Sequence, residues 1–328
     1  MKSQNANTCY LCDEPLDGSD EHIINSCIGG RKKSQFLLCH NCNTRKVKPL
    51  DDAIENILKN YFVLLKLKRD RRNNKNLSVP LIDKEGLKFK HYPNEEDYIP
   101  TFIWVEDKYV QFDSKSQELI NRKLLELEKK TGKKYIRTNM PDTITFYSGD
   151  RDLAELEKLK FDNPFFYKAI CKIAANYFMS IVKEKQKINY IIDFIKNDAL
   201  DYKDFVTWFY PTNFTINSLQ EGEINHLLYL KCDKEYKVIY MYIELFSTFN
   251  FVVLLSTNYE GKDFEKMYCY DLLNRSSISK DIIIKLHRDH FMELRHLWSK
   301  GMWRSRQNYF NRLRKLTQKE IDKRNLKK

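Results

Sequence analysis

The 328-residue sequence lacks several features that define common classes of protein. It has no apolar run of about 18 residues, and its first residues are polar, so we expect neither a transmembrane helix nor a signal peptide. It also has no glycine-rich phosphate loop, no hydrolase-type nucleophile elbow and no long repeat. These absences argue against a membrane protein and against a nucleotide-driven motor.

The composition is that of a globular chain with excess positive charge. Hydrophobic residues make up 42% of it, so a sizeable core can form within two or three domains. The formal net charge of +12 is unevenly distributed: residues 1–76 hold 14 basic and 9 acidic side chains, and residues 304–328 hold 10 and 2. Because the positive charge is concentrated at the two ends, we expect these ends to attract a polyanion such as a nucleic acid.

Four of the eight cysteines form two CxxC pairs, Cys9 with Cys12 and Cys39 with Cys42. Four thiolates supplied by two such turns fill the tetrahedral coordination of Zn²⁺ and leave no open position. The sequence therefore predicts a structural zinc site, and cysteines kept as thiols indicate a reducing compartment, so we expect a cytoplasmic protein. The remaining cysteines have no such spacing and are predicted to be core thiols: Cys27, Cys171, Cys232 and Cys269.

A short motif lies between the cysteine pairs and directly after them. It begins with Glu21-His22-Ile-Ile, continues with Gly29 and Gly30, and ends with Asn43 and Lys46 after the second pair. In this order and spacing, the residues resemble the HNH endonucleases, specifically the four-cysteine branch with a ββα-metal fold. The resemblance covers the N-terminal region only.

The chemistry of these residues favours phosphodiester cleavage without reference to the family. That reaction needs a base to activate water and a divalent cation to hold the phosphate. His22 can serve as the base, and Glu21 can supply a hard anionic oxygen to Mg²⁺ or Mn²⁺. Because Asn43 follows Cys42 directly, the zinc site would fix the position of its side-chain carbonyl.

The resemblance implies a role for each motif residue. His22 would be the general base, Glu21 and Asn43 would hold the catalytic cation, and Lys46 would contact a phosphate or stabilise the leaving group. Since Asn43 takes the place of the last histidine, the chain has the His-Asn-Asn variant; positions 34 and 35, where the middle asparagine is expected, hold serine and glutamine. The resemblance also implies DNA as the substrate, nicked or cut in both strands, and a prokaryotic genome-defence or mobile-element system.

Basic residues beside the motif are candidates for nucleic-acid contacts. Arg31, Lys32 and Lys33 follow the two glycines, and Arg45 precedes Lys46. The glycine pair could form a plain turn, or its backbone amides and the three basic side chains could approach a phosphate.

The C-terminal tail predicts an amphipathic helix with a basic face, because Tyr309, Leu313 and Leu316 recur at helical spacing. Such a helix is either a solvated surface element or a DNA contact. Its candidate contact residues are Arg304, Arg306, Arg312 and Arg314.

The whole chain predicts an α+β fold in three regions. Residues 1–72 would form the ββα-metal module with a trailing helix from about Asp51, capped by Asp51 or Asp52. Residues 73–160 would form a mixed connecting region. Residues 161–328 would form an α+β domain with a basic C-terminal helix.

Elements are predicted within the second and third regions. The connecting region would hold strands at 102–105 and 143–147 and a solvent-facing helix at 116–130. The last region would hold helices at 164–182 and 189–196, neither with a recognised catalytic pattern. An antiparallel meander would follow over residues 226–256, where the apolar period changes to two.

Two other functions are compatible with the sequence. The chain could be a non-catalytic, zinc-dependent module that binds DNA or RNA, or a nuclease subunit that is active only within a larger complex. A partner protein, an activating ligand or a guide nucleic acid could target or restrain the nuclease. Metal-dependent nicking of a plasmid would separate the enzyme from the binding module.

Overall fold

A computed structural model describes residues 7–64, 67, 79–82, 88–91, 102–105, 110–113, 117–134, 163–197, 201–209, 224–280, 282, 284–286 and 288–292. The fold is α+β: a small ββα module with four clustered cysteines is followed by helices and a six-stranded antiparallel sheet. Both the predicted fold class and the predicted ββα module are confirmed. Across the described ranges, no helix is long and apolar enough to cross a membrane.

The N-terminal module is a short hairpin followed by a helix. Strand β1 (Glu21–His22) pairs antiparallel with β2 (Lys33–Ser34). A 3-10 turn at Ser26–Ile28 lies between them, and a π-helical turn at Cys42–Lys46 leads into helix α1 (Lys48–Leu64).

Helix α1 begins at Lys48, before the predicted start, so neither Asp51 nor Asp52 caps it. Asp51 lies in the first turn, where a carboxylate complements the helix dipole. Its Oδ1 accepts hydrogen bonds from Lys172 and from the Asn25 amide instead of from a helix amide. Asp52 pairs with Lys48 at 2.9 Å. The capping prediction is therefore wrong. The helix buries an apolar stripe: Ile54, Ile57, Leu58, Tyr61 and Phe62.

The connecting region contains two small hairpins and a helix. The first hairpin joins β3 (Val79–Ile82) to β4 (Lys88–His91), and the second joins β5 (Phe102–Val105) to β6 (Val110–Asp113). Helix α2 (Gln117–Thr131) follows, and most of its described side chains are exposed. The strand at 102–105 and the solvent-facing helix are thus confirmed, and the predicted strand at 143–147 lies outside the described residues.

The elements that follow α2 are α3 (Pro164–Ile181), α4 (Asn189–Lys196), β7 (Val206–Trp208), β8 (Asn225–Asp233), β9 (Val238–Leu245), β10 (Phe249–Ser256), β11 (Phe264–Asp271), β12 (Ser276–Ser277) and α5 (Arg288–Met292). The strands form a C-terminal sheet with the order β12-β11-β8-β9-β10-β7, and all neighbouring strands are antiparallel. Strands β8 to β10 form the predicted meander, and the two predicted helices before it are confirmed as α3 and α4. Strands β7, β11 and β12 were not predicted.

One hydrophobic core joins the ββα module to this sheet. Tyr61 of α1 packs edge-on against Phe249 of β10, with ring centroids 4.8 Å apart, and α1 also packs on α3. Helix α3 is buried along most of its length. Because a polar group buried in such a helix is costly unless it is hydrogen-bonded, the buried lysines and the buried asparagine of α3 are expected to have partners.

The predicted core thiols are largely confirmed. Cys171, Cys232 and Cys269 are buried, and Cys27 is half-buried. The opposite face of the sheet carries a second apolar cluster, which the segment containing Ile284 and Leu286 helps to cover.

Candidate functional site

The sulfur atoms of the two CxxC pairs converge. The Sγ atoms of Cys9, Cys12, Cys39 and Cys42 all lie within 4.8 Å of one another, and those of Cys12 and Cys39 are 3.6 Å apart. Tetrahedral coordination with Zn–S bonds of about 2.3 Å places sulfur atoms about 3.8 Å apart. The cluster thus fits one tetrahedral ion and suggests a structural zinc.

Local backbone contacts shape this cluster. Asp13 adopts a left-handed conformation with φ 64° and donates its N–H to the Cys9 carbonyl, which closes the first turn. The Asn43 N–H donates to the Cys39 carbonyl at 2.9 Å, which closes the second. Burial raises the pKa of the Cys42 thiol, so a thiolate at this position needs a positive partner.

Glu21, a predicted ligand of the catalytic cation, is buried, with 3% of its surface exposed. Its Oε1 accepts hydrogen bonds from Lys172 Nζ at 2.8 Å and from Asn176 Nδ2 at 2.9 Å, both on α3. Burial raises the pKa of the Glu21 carboxyl, and the Lys172 ammonium opposes this effect. Both contacts are made by Oε1; the other oxygen, Oε2, accepts no hydrogen bond from the described residues.

The ammonium of Lys172 lies between two carboxylates. Besides Glu21, it contacts Asp51 Oδ1 at 2.7 Å. Burial alone would lower the pKa of Lys172, but the two carboxylates outweigh burial and raise it, so the side chain is charged. With two carboxylates and one ammonium, this group keeps a surplus of negative charge.

Asn176, one turn further along α3, is fully buried. Its Nδ2 donates to Glu21 Oε1 and, at 3.1 Å, to the His22 carbonyl, while its Oδ1 accepts from the Tyr10 hydroxyl at 2.6 Å. Since a carboxylate and a carbonyl can only accept, these partners fix which way the amide points. Tyr10 follows the zinc-site residue Cys9, so Asn176 links the cysteine cluster to β1.

His22 is half-buried on β1, and its ring Nε2 is buried. Ser34 lies at a position where the middle asparagine of the family pattern is expected. Its hydroxyl accepts the Phe36 N–H at 3.2 Å, a contact within the local turn.

The side chain of Asn43 contacts the two residues that precede β1. Its Nδ2 donates to Ser19 Oγ and to the Asp20 carbonyl, each at 3.0 Å, and Asp20 directly precedes Glu21. Because the Asp20 carbonyl can only accept, the amide orientation is fixed, and Oδ1 accepts no hydrogen bond within the described part of the chain. Arg45 and Lys46 are exposed at the end of the same π-helical turn.

Gly29 and Gly30 form a plain turn. Their N–H groups donate to Ser26 and Asn25 carbonyls at 3.1 Å, so the alternative in which these amides bind a phosphate is wrong. Gly29 has φ 95°, and a Cβ on Gly30 would lie 1.8 Å from the Ile24 carbonyl oxygen. Both positions therefore require glycine.

The three basic residues after this turn differ in exposure. Lys33 is exposed and Arg31 is half-buried. Lys32 is also half-buried, with its ammonium 5.3 Å from the Tyr177 ring centroid and 5.4 Å from that of Tyr268. Burial lowers the pKa of Lys32, and the nearby Lys266 lowers it further. The predicted contacts in the tail lie outside the described residues: Arg304, Arg306, Arg312 and Arg314.

Lys172 and Asn176 were not predicted from the sequence, although they hold the Glu21-His22 dipeptide from a distant part of the chain. A signal for them exists, because Lys168, Lys172 and Asn176 recur every four residues along an otherwise apolar helix. Polar groups at that spacing lie on one face and need buried partners. The sequence does not say which partners those are.

A comparison with known protein families identifies the family of the N-terminal module. A family model described as HNH endonuclease matches residues 9–59, which contain the four cysteines, the Glu21-His22 dipeptide and Asn43. This part of the chain therefore belongs to the HNH endonuclease family, and the resemblance noted from the sequence is confirmed. No curated protein and no solved structure matches the chain.

Proposed function

We propose that the protein is a metal-dependent endonuclease that hydrolyses phosphodiester bonds of DNA. The observation that carries this proposal is the arrangement at β1, inside the segment that matches the HNH family. Glu21 and His22 are adjacent there, and the Asn43 side chain is bonded to the residue just before them.

In the proposed reaction, His22 takes a proton from water, whose oxygen attacks the phosphorus while the 3′ oxygen leaves. Glu21 through Oε2 and Asn43 through Oδ1 would hold Mg²⁺ or Mn²⁺, since both are oxygen donors without a protein hydrogen bond among the described residues. The cation would neutralise charge on the phosphate and on the leaving oxygen. Lys46 would contact the phosphate or stabilise the leaving group.

Attraction between basic side chains and the phosphates would supply most of the DNA binding. Lys33, Arg31 and Arg45 lie close in sequence to the motif, and the basic tail would add contacts that release counterions from the duplex. Lys32 would contribute less, because its ammonium packs against two tyrosine rings.

For the biological role, we propose a cytoplasmic effector of genome defence or of a mobile element. The C-terminal sheet would target or restrain cleavage through a protein, a ligand or a guide nucleic acid. One HNH centre cuts one strand per encounter, so a double-strand break would need two molecules or two encounters.

The test is nicking of supercoiled plasmid by purified full-length protein with EDTA, Mg²⁺ or Mn²⁺. We expect wild type to nick only with a cation and His22→Ala to be inactive with unchanged folding and zinc content. His290→Ala, a change of an exposed histidine on α5, is the control and should behave as wild type.

Equal nicking by wild type and His22→Ala would refute the role of His22. DNA binding without nicking by folded, zinc-loaded wild type, with every cation tried, would instead favour the binding module or a subunit that needs a partner.

A further inference from the structure

We infer that α3 completes the nuclease site: Lys172 and Asn176 are positioning residues that aim the Glu21 carboxylate at the catalytic cation. This inference rests on the proposed function. It extends the site beyond residues 9–59, the segment that the family model covers, to a helix more than a hundred residues away.

Both α3 side chains contact the same carboxylate oxygen of Glu21. Lys172 and Asn176 both contact Oε1 of Glu21, at 2.8 and 2.9 Å, and leave Oε2 without a hydrogen bond from the described residues. A carboxylate held by one oxygen presents the other in a fixed direction. Partners of this kind, one step behind the metal ligands, orient ligating carboxylates in metal sites.

The carboxylates around Lys172 outnumber its single ammonium. The ammonium of Lys172 is shared between Glu21 and Asp51, so two carboxylates face a single positive charge. A network with surplus negative charge attracts a further cation.

Asn176 contacts both residues of the Glu21-His22 dipeptide. The same amide that holds Glu21 Oε1 also holds the backbone carbonyl of His22, at 3.1 Å. The oxygen of this amide accepts a hydrogen bond from Tyr10, next to the cysteine cluster. One side chain of α3 therefore fixes both the proposed metal ligand and the backbone of the proposed base.

The test compares Lys172→Met with Lys168→Met. The two lysines lie one turn apart on α3, and both are almost completely buried. Lys168, however, donates to the Asn197 carbonyl at 2.8 Å and does not contact Glu21. Lys168→Met thus controls for the loss of a buried ammonium from this helix.

Full-length, zinc-loaded protein is titrated with Mn²⁺ alone, and bound Mn²⁺ is measured by electron paramagnetic resonance; plasmid nicking is followed over the same Mn²⁺ range. We expect Lys172→Met to raise the Mn²⁺ concentration for half-maximal binding and nicking by about tenfold or more, the usual effect of removing such a partner. Lys172→Arg should recover part of the loss. Lys168→Met should stay near wild type.

Asn176→Leu, which keeps the branched shape and the number of side-chain heavy atoms but is larger, is the second variant and keeps the test decisive if Lys172→Met does not fold. It removes both donated bonds and should also weaken Mn²⁺ binding. Circular dichroism and thermal unfolding establish that each variant is folded.

Wild-type Mn²⁺ affinity in the folded Lys172→Met or Asn176→Leu variant would overturn the inference and leave the nuclease intact. Tighter binding by Lys172→Met would overturn it too, because Lys172 would then compete with the cation. Wild type that neither binds Mn²⁺ nor nicks DNA would overturn the proposed function together with this inference.

Discussion

His226 couples the stability of the fold to pH. It is buried on β8, where its Nδ1 accepts the Phe246 N–H at 3.2 Å and its Nε2 lies 2.8 Å from the Ile28 carbonyl. Since an amide N–H can only donate, Nδ1 carries no proton, and Nε2 donates to Ile28. A second proton would have to bind Nδ1, where it would point at the Phe246 N–H and break that hydrogen bond.

Burial therefore lowers the pKa of His226 from 6.5 to about 4, although the bond to Ile28 acts in the opposite direction. Below pH 6.5 the unfolded chain takes up a proton that the folded chain does not. Stability from this residue is complete above about pH 7 and is lost as the pH falls from 6.5 towards 4, by about 3 kcal/mol in total. Between pH 8 and pH 5 the loss is about 2 kcal/mol.

The assay is urea unfolding of wild type and His226→Gln at pH 8, 7, 6 and 5. Glutamine supplies a donor and an acceptor but does not titrate. The free energy of unfolding of His226→Gln should therefore fall by about 2 kcal/mol less than that of wild type between pH 8 and pH 5. Protonation of the zinc-site cysteines and of the carboxylates affects both proteins and cancels in the difference. If the free energy of unfolding changed with pH by the same amount in both proteins, the assignment of a neutral, buried His226 would be refuted.

Three further predictions follow from the cysteine cluster, the glycine turn and the tail. Cys39→Ser should lose zinc and destabilise the N-terminal module by several kcal/mol, whereas Cys27→Ser should keep zinc. Metal analysis and thermal unfolding check this prediction, and full zinc content in Cys39→Ser would contradict it. Gly30→Ala should destabilise far more than Gly132→Ala, which meets no atom within 4 Å and costs about 1 kcal/mol for its positive φ; equal unfolding midpoints would contradict the turn. Deletion of residues 304–328 should weaken DNA binding and flatten its dependence on salt in an anisotropy titration; an unchanged slope would assign the tail no phosphate contacts.

The features that the sequence predicted are those set by local spacing. Two CxxC turns bring their own sulfurs together, and the period-two pattern of the meander identifies β8 to β10. Strand β7 has only three residues, and the first half of β11 is exposed and charged, so neither shows a period that stands out. The prediction that Asp51 caps α1 failed because its carboxylate accepts hydrogen bonds from Lys172 and Asn25, which are distant in sequence.

The partners of Glu21 were beyond prediction for a different reason. Lys172 and Asn176 lie about 150 residues from it along the chain, and a single sequence carries no information on which distant polar groups meet. The helical spacing of Lys168, Lys172 and Asn176 predicts that partners exist. Only the packing of α3 against α1 and β1 identifies them.

The two buried lysines of α3 show why this helix matters for the site. A buried ion pair seldom adds net stability compared with apolar packing, because desolvation of both charges offsets their attraction. Lys168 fits a structural role, since its ammonium contacts the carbonyl at the C-terminal end of α4, where a positive charge complements the helix dipole. Lys172 instead contacts the one carboxylate that precedes His22. Successive turns of α3 thus contact the end of α4 through Lys168 and the ββα module through Lys172.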